Sequence, residues 1–197
     1  MKKRVLSIII AVFIFCNASS QITKKNWIVG GNAGLTHTNN NSSSSTLYKN
    51  TALSISPNIG YFIFDKFVAG AKLSILLLKY GYTQSSGGGT ISYSTKSQFY
   101  NLGPFARYYF LKTDKRANIF IEGVYQYQLR KDISPSSNSK QSANVFMINA
   151  GPVIYFNSSV GVEFTIGYSS LKYSGISGSN NTIQTSIGLQ IHLQKDD

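Results

Sequence analysis

From about residue 26 to residue 193 the chain alternates bulky apolar residues with small or polar ones at a period of two, segment after segment. In the last segment Ile183, Thr185, Ile187, Leu189, Ile191 and Leu193 share one parity, against Gln184, Ser186, Gly188, Gln190 and His192 on the other. In 159–172, Val160, Val162, Phe164, Ile166 and Tyr168 oppose Gly161, Glu163, Thr165 and Gly167. In 51–64 the apolar row is Leu53, Ile55, Pro57, Ile59, Tyr61 and Ile63; Phe62 and Phe64 interrupt the opposite row of Ser54, Ser56, Asn58 and Gly60. Successive side chains of a strand point to opposite faces, so these segments fold as strands with one greasy face.

Eight such segments are predicted: 26–37, 51–64, 67–82, 96–110, 117–131, 143–156, 159–172 and 182–193. Their connections alternate strictly between short and long. Asp65-Lys66, Leu111–Arg116 and Asn157-Ser158 are short; THTNNNSSSSTLYKN, TQSSGGGTISYST, KDISPSSNSKQS and YSGISGSNN are longer and polar. An up-and-down meander of eight strands has this order, and transmembrane barrels combine it with an even strand number.

Size decides which face is enclosed. An eight-stranded barrel has a narrow interior filled by side chains, and rows of Ile, Leu, Tyr and Phe from every strand overfill it. The glycines, serines, asparagines, glutamines and few charges fit inside, which leaves the bulky rows for lipid. Each segment also supplies the roughly 9–11 residues that a tilted spanning strand needs. Closure removes the sheet edges that hydrocarbon cannot tolerate. Aromatic residues gather near the strand ends, as interfacial girdles require: Tyr61, Phe64, Phe67, Tyr108, Phe110 and Phe156 beside the short turns, and Tyr80, Tyr82, Tyr93, Tyr100, Tyr127, Tyr168 and Tyr173 toward the longer connections. The predicted fold is all-β, an eight-stranded antiparallel up-and-down transmembrane β-barrel with short periplasmic turns and four longer extracellular loops.

The chain starts with Lys2, Lys3 and Arg4, an apolar run Val5–Phe15, and Ala18-Ser19-Ser20. That layout is a secretory signal peptide, too short to cross a bilayer as a helix. Residues 1–20 are the expected signal peptide and 21–197 the expected barrel domain. Cys16 lies inside the signal, and bulky Phe15 before it disfavours lipidation at that sulfur. The mature chain then holds no cysteine, and no disulfide framework supports it. Without Lys2, Lys3 and Arg4, 16 basic residues face 7 acidic ones, a charge of +9. An exported chain rarely meets nucleic acid. Lys49, Lys96, Arg130, Lys131, Lys140 and Lys172 suit loop solvation, or an anionic neighbour such as lipopolysaccharide phosphates.

Two rows invite closer reading. Pro57, Pro104 and Pro152 recur at separations of 47 and 48 residues, each on an outward position of a strand leading to a short turn. Proline removes a ladder donor, so a bulge or a ladder gap is expected at each, bending the strand. Lys72, Arg107, Glu122 and Glu163 have the inward parity and stand about four to seven residues above the short turns, at a rise of roughly 3.3 Å per residue. Two cations and two anions in one band neutralise each other, and arginine forks onto carboxylates well enough to be held out of water. The expectation is a polar plug, with a gate or ion path as the functional alternative.

The arms SPNIGYFIFDKFVAGAKL and LGPFARYYF, with the signal and eight alternating strands, resemble the outer-membrane β-barrel domain family of Gram-negative bacteria, which includes OmpA-type and OmpX-type barrels. The likeness spans roughly residues 22–197. Its most specific part is Pro57, Gly60, Tyr61, Phe62, the Asp65-Lys66 turn and Gly70. It implies a place in the outer membrane, contact with outer-membrane lipid and lipopolysaccharide, and insertion by the outer-membrane assembly machinery. It implies no shared activity. Two departures stand out: no peptidoglycan-binding domain is expected after LQIHLQKDD, and the last strand lacks a terminal aromatic.

Catalytic and cofactor chemistry leaves no trace. His37 and His192 belong to no metal-ligand spacing. GGG at 87–89 is not followed by Lys-Ser/Thr and starts no helix, so it is no phosphate loop. His37 with the serines of 42–45 imitates a lipid hydrolase only weakly. The expected role is non-enzymatic, structural or surface-interacting, with a closed lumen and loops facing an outside ligand. The alternatives are a narrow pore for ions or small solutes and, further off, a lipid-modifying enzyme or a soluble ligand-binding barrel.

Overall fold

A computed structural model describes residues 22–42, 46–86, 89–113, 115–134, 138–175 and 178–193. The expected signal peptide and Cys16, the serines 43–45 and glycines 87 and 88 lie outside these residues. Eight strands follow one another: β1 (Trp27–Ser42), β2 (Thr46–Phe64), β3 (Phe67–Ser86), β4 (Gly89–Tyr109), β5 (Ala117–Ile133), β6 (Asn138–Tyr155), β7 (Val160–Tyr173) and β8 (Asn180–Leu193). Each pairs antiparallel with the next, and β8 returns to β1, closing the barrel.

The strands are longer than the residue pattern predicts, always at the end of the polar connections. β1 and β2 stay in register to Ser42↔Thr46, and β3 and β4 to Ser86↔Gly89. The expected first two long loops are therefore mostly ladder, as are the ends of the other two. Serine, asparagine and threonine mark where the greasy alternation stops, but a backbone already in register continues to pair its N–H and C=O groups rather than release them. Growth is uneven around the rim: β2, β3 and β4 have 19, 20 and 21 residues, whereas β7 and β8 have 14 each.

The alternation sorts side chains as size requires. Along β5 the burial pattern switches with every residue from Ala117 to Leu129. Ile119, Ile121, Tyr125, Tyr127 and Leu129 are exposed on the outside, and Asn118, Phe120, Glu122, Val124 and Gln126 are buried. The two exceptions in β2 have a local cause. The β2–β3 register shifts between Phe62 and Phe64, so Phe62 stays inside while Ile63 and Phe64 both face outward. Lys66 completes that tight turn with a φ of 66°.

The bottom of the barrel, beside the short turns, is closed by an apolar cluster rather than by small polar residues. Ile28, Phe62, Val68, Phe105, Tyr109 and Phe120 are its core. Ile22 caps it from the segment before β1, and its carbonyl accepts from the Lys66 N–H at 2.9 Å. The Lys25 N–H donates to the Phe62 carbonyl, and the Lys24 N–H to Asp65 Oδ1 at 2.8 Å. One junction is short: β1 and β8 pair only from Trp27↔Leu193 to Asn32↔Gly188.

Candidate functional site

Above the apolar floor, the inward rows of β3, β4, β5 and β7 bring Lys72, Arg107, Glu122 and Glu163 into one constellation. Registers explain the meeting: Arg107 pairs with Glu122 across β4–β5, and the opposite wall supplies Glu163. The Arg107 guanidinium donates through Nε and Nη2 to Glu122 Oε2, at 3.0 and 2.7 Å. Its Nη1 donates to Glu163 Oε2 at 2.7 Å and to the Tyr109 hydroxyl at 3.2 Å. Glu122 Oε1 takes an ion pair from Lys72 and a hydrogen bond from Asn149 Nδ2 at 3.0 Å. Arg107 is 2% exposed and Glu122 1%.

Such burial is costly for single ions and tolerable only when the charges are paired and hydrogen-bonded. Here two cations meet two carboxylates, so the cluster carries no net charge. The guanidinium plane also lies over the Phe120 ring, 4.1 Å from its centroid, and Lys72 Nζ lies 5.5 Å from that of Phe105. Gln126 Nε2 ties β5 to β3 by donating to the Lys72 carbonyl at 2.9 Å. The arrangement links four strands across the lumen and offers an arriving solute no free charge from these four residues.

Above the cluster opens a polar cavity of about 220 Å³. Asn32, Ser54, Ser56, Ser74, Thr165 and Gln184 are among its walls, and Lys72, Glu122 and Glu163 form its floor.

The three prolines sit on outward positions, and each coincides with a missing stretch of ladder on one side. Pairing of β2 with β3 skips from Ile55↔Ile75 to Asn58↔Lys72. Pairing of β4 with β5 skips from Leu102↔Tyr127 to Phe105↔Val124, and β6 with β7 from Ala150↔Ile166 to Val153↔Glu163. The register is unchanged across each gap, so these are gaps and not bulges. At two of them glycine precedes proline. The carbonyls of Tyr125 and Phe164, each deprived of a proline N–H, lie against the Cα of Gly103 and Gly151, where any Cβ would overlap them.

The apolar floor was outside the reading of the residues. Tyr109 shares the parity of Arg107, and Phe120 and Val124 share that of Glu122, so parity alone marks them as inward. His192, at the bottom of β8, is buried with its ring 5.4 Å from Tyr155 and 5.7 Å from Phe62. His37 is exposed, its Nδ1 2.8 Å from Thr51 Oγ1. Among the described residues no group of three or more His, Cys, Asp or Glu is placed to hold a metal ion.

No protein-family model and no curated protein matches the sequence. Solved structures do share its shape. Neisserial surface protein A, NspA, superposes with a TM-score of 0.50 at 15% identity, covering 84% of this chain and 96% of that one. The N-terminal β-barrel domain of Pseudomonas aeruginosa OprF follows with 0.48 at 13% identity, covering 86% and 98%. Ail, the attachment invasion locus protein of Yersinia pestis, gives 0.42 at 9% identity, covering 87% and 99%. At 15% identity the likeness to NspA concerns the fold, which in this chain is an eight-stranded antiparallel closed barrel.

Proposed function

We propose, starting from a barrel fold shared with Neisserial surface protein A, that this chain is a small outer-membrane protein with a non-enzymatic, structural or surface-interacting role and a lumen closed to solutes. Residues 1–20 serve as its export signal and 21–197 as its barrel. The observation that carries the reading is the inverted partition of side chains. Leu35, Leu53, Ile55, Leu102, Ile121 and Ile187 stand exposed on the outer wall, while Arg107, Glu122 and Glu163 are buried within. Water penalises such a surface and acyl chains do not.

A ring of outward lysines supports contact with an anionic leaflet. Lys49, Lys79, Lys96, Lys131, Lys140 and Lys172 are all exposed and continue the outward rows beyond the aromatic positions. Lys79 stands directly opposite Lys96, and Lys131 opposite Lys140. Like charges facing across a ladder repel, and phosphate groups between them relieve that repulsion. Lipopolysaccharide phosphates have the charge for this.

The lumen reading rests on two stacked barriers, the ionic cluster and the aromatic floor below it. Both contribute to closure, because eight strands enclose little more than their own side chains. Purified protein inserted into a planar bilayer tests this. The expected record is flat at any salt concentration, and stable unitary currents sink the closed-lumen reading in favour of a narrow pore. The outer tips are then the part available to an external ligand, and assembly machinery is the partner that inserts the barrel.

A further inference from the structure

We infer that the junction of β1 with β8 is a lateral portal that holds a single-chain amphiphile with an uncharged polar head, the head reaching the lumen and the acyl chain lying along the outer wall. This goes beyond the membrane reading and rests on it.

Three observations converge on the junction. The ladder there stops at Asn32↔Gly188. Above it β1 pairs with β2 alone, from Ala33↔Ile55 onward, and β8 with β7 alone, as in Phe164↔Ile187. Gly31, with a φ of 150°, lies just below the divergence, where a side chain would run into the Ser56 carbonyl. Asn32 Nδ2 and Ser186 Oγ, 3.4 Å apart, mark the last cross-link before the two strands part.

Second, three hollows adjoin at that place and share lining residues. The polar lumen cavity of about 220 Å³ shares Asn32, Ser54, Thr165, Thr185 and Ser186 with a seam pocket of about 870 Å³. The seam pocket shares Asn32, Ala33 and Ile187 with an outer groove of about 550 Å³. A volume of about 870 Å³ falls within the roughly 300–1,000 Å³ of small-molecule sites, which are concave, mostly apolar and equipped with a few polar groups.

Third, the walls change character along that path. Hydroxyls and amides line the inner end, Thr36 and Thr185 the throat, and Ile55, Val162, Leu189 and Ile191 the outer end. Leu35 at 72%, Ile183 at 74% and Ile187 at 62% are highly exposed apolar residues, and all flank the parted strands.

The physics selects the occupant. At membrane depth, strand edges without a ladder partner cannot face hydrocarbon, because each unmade hydrogen bond costs several kcal/mol. A polar head supplies donors and acceptors at the throat, and its chain fills the apolar groove that acyl tails already border. Lys72, Arg107, Glu122 and Glu163 are satisfied by one another, so the cavity favours a neutral head over a charged one.

The test uses the full-length mature chain in phospholipid vesicles containing a monoacylglycerol with a diazirine in its chain. Flotation of the vesicles reports membrane insertion, and photolysis followed by peptide mass spectrometry reports the seam. Label is expected on 33–36 and 183–187 at about tenfold the level on the equally greasy β5 wall of Ile119, Ile121 and Leu129, a preference of about 1.4 kcal/mol. Ser186→Trp, which plugs the throat, is expected to remove that excess and leave β5 labelling unchanged; Thr165→Phe serves if that variant does not fold. Protein that fails to float refutes the membrane reading itself. Protein that floats but labels evenly, labels its seam regardless of both plugging variants, or cross-links there to a second copy overturns the portal.

Discussion

Glu122 answers two cations and an amide at once, so removing its charge strands more than one partner. Glu122→Gln is expected to lower unfolding free energy by about 3–5 kcal/mol, the usual cost of breaking a buried ion pair from one side. Urea titration in detergent micelles measures it. Arg107→Met in the same background is expected to cost less than it does alone, with a coupling of about 0.5–3 kcal/mol; strictly additive losses would show that the two side chains act separately. These residues were legible because charge is rare on the inward rows and parity aligns it. The floor was not legible, although its parity is as clear. Phe62, Tyr109 and Phe120 are large, and reasoning from size alone assigns large residues to lipid, whereas the end of the barrel needs bulk to shut it.

Within the strands, the Gly-Pro pairs form a device in which two residues share one irregularity. Proline withholds a donor, and the neighbouring strand's carbonyl moves onto the adjacent glycine, where a Cα–H contact partly replaces the lost bond. Gly151→Ala is therefore expected to destabilise the barrel by about 1–3 kcal/mol, as overpacking against rigid backbone does. Pro152→Ala is expected to change stability by less than about 1 kcal/mol, since a regained donor offsets the regained freedom of the unfolded chain. Equilibrium unfolding of the two variants separates the roles, and the reverse ranking would mean that proline itself shapes the strand. The sequence pattern located the strands but not their upper ends. Periodicity fades where both faces meet water: Thr46–Asn50 carries no sustained greasy row, and in Gly89–Thr95 only Ile91 and Tyr93 alternate, on the parity opposite to the outward row below them.

At the scale of the molecule, closure, strand number and the sorting of side chains could be anticipated, because a narrow lumen leaves one solution. The parted β1–β8 junction could not, since it depends on how the first and last strands meet after six others have set the tilt. The lysine ring also belongs to this scale, being assembled from six strands. Replacing Lys79, Lys96, Lys131 and Lys140 with Gln is expected to weaken binding to vesicles bearing phosphorylated lipid A and to flatten its salt dependence, as loss of surface charge does; co-sedimentation across a salt series reads both. Equal binding by the variant would assign those lysines to solvation alone. The uneven lengths of the strands have one more result. β2 to β4 outreach β7 and β8 by five to seven residues, a palisade roughly 15 Å higher once strand tilt is allowed for. In the proposed outer-membrane orientation, a bulky visitor descending from the medium, such as an antibody or a phage fibre, strikes that parapet first, whereas the low side beside it is approached by molecules drifting within the leaflet.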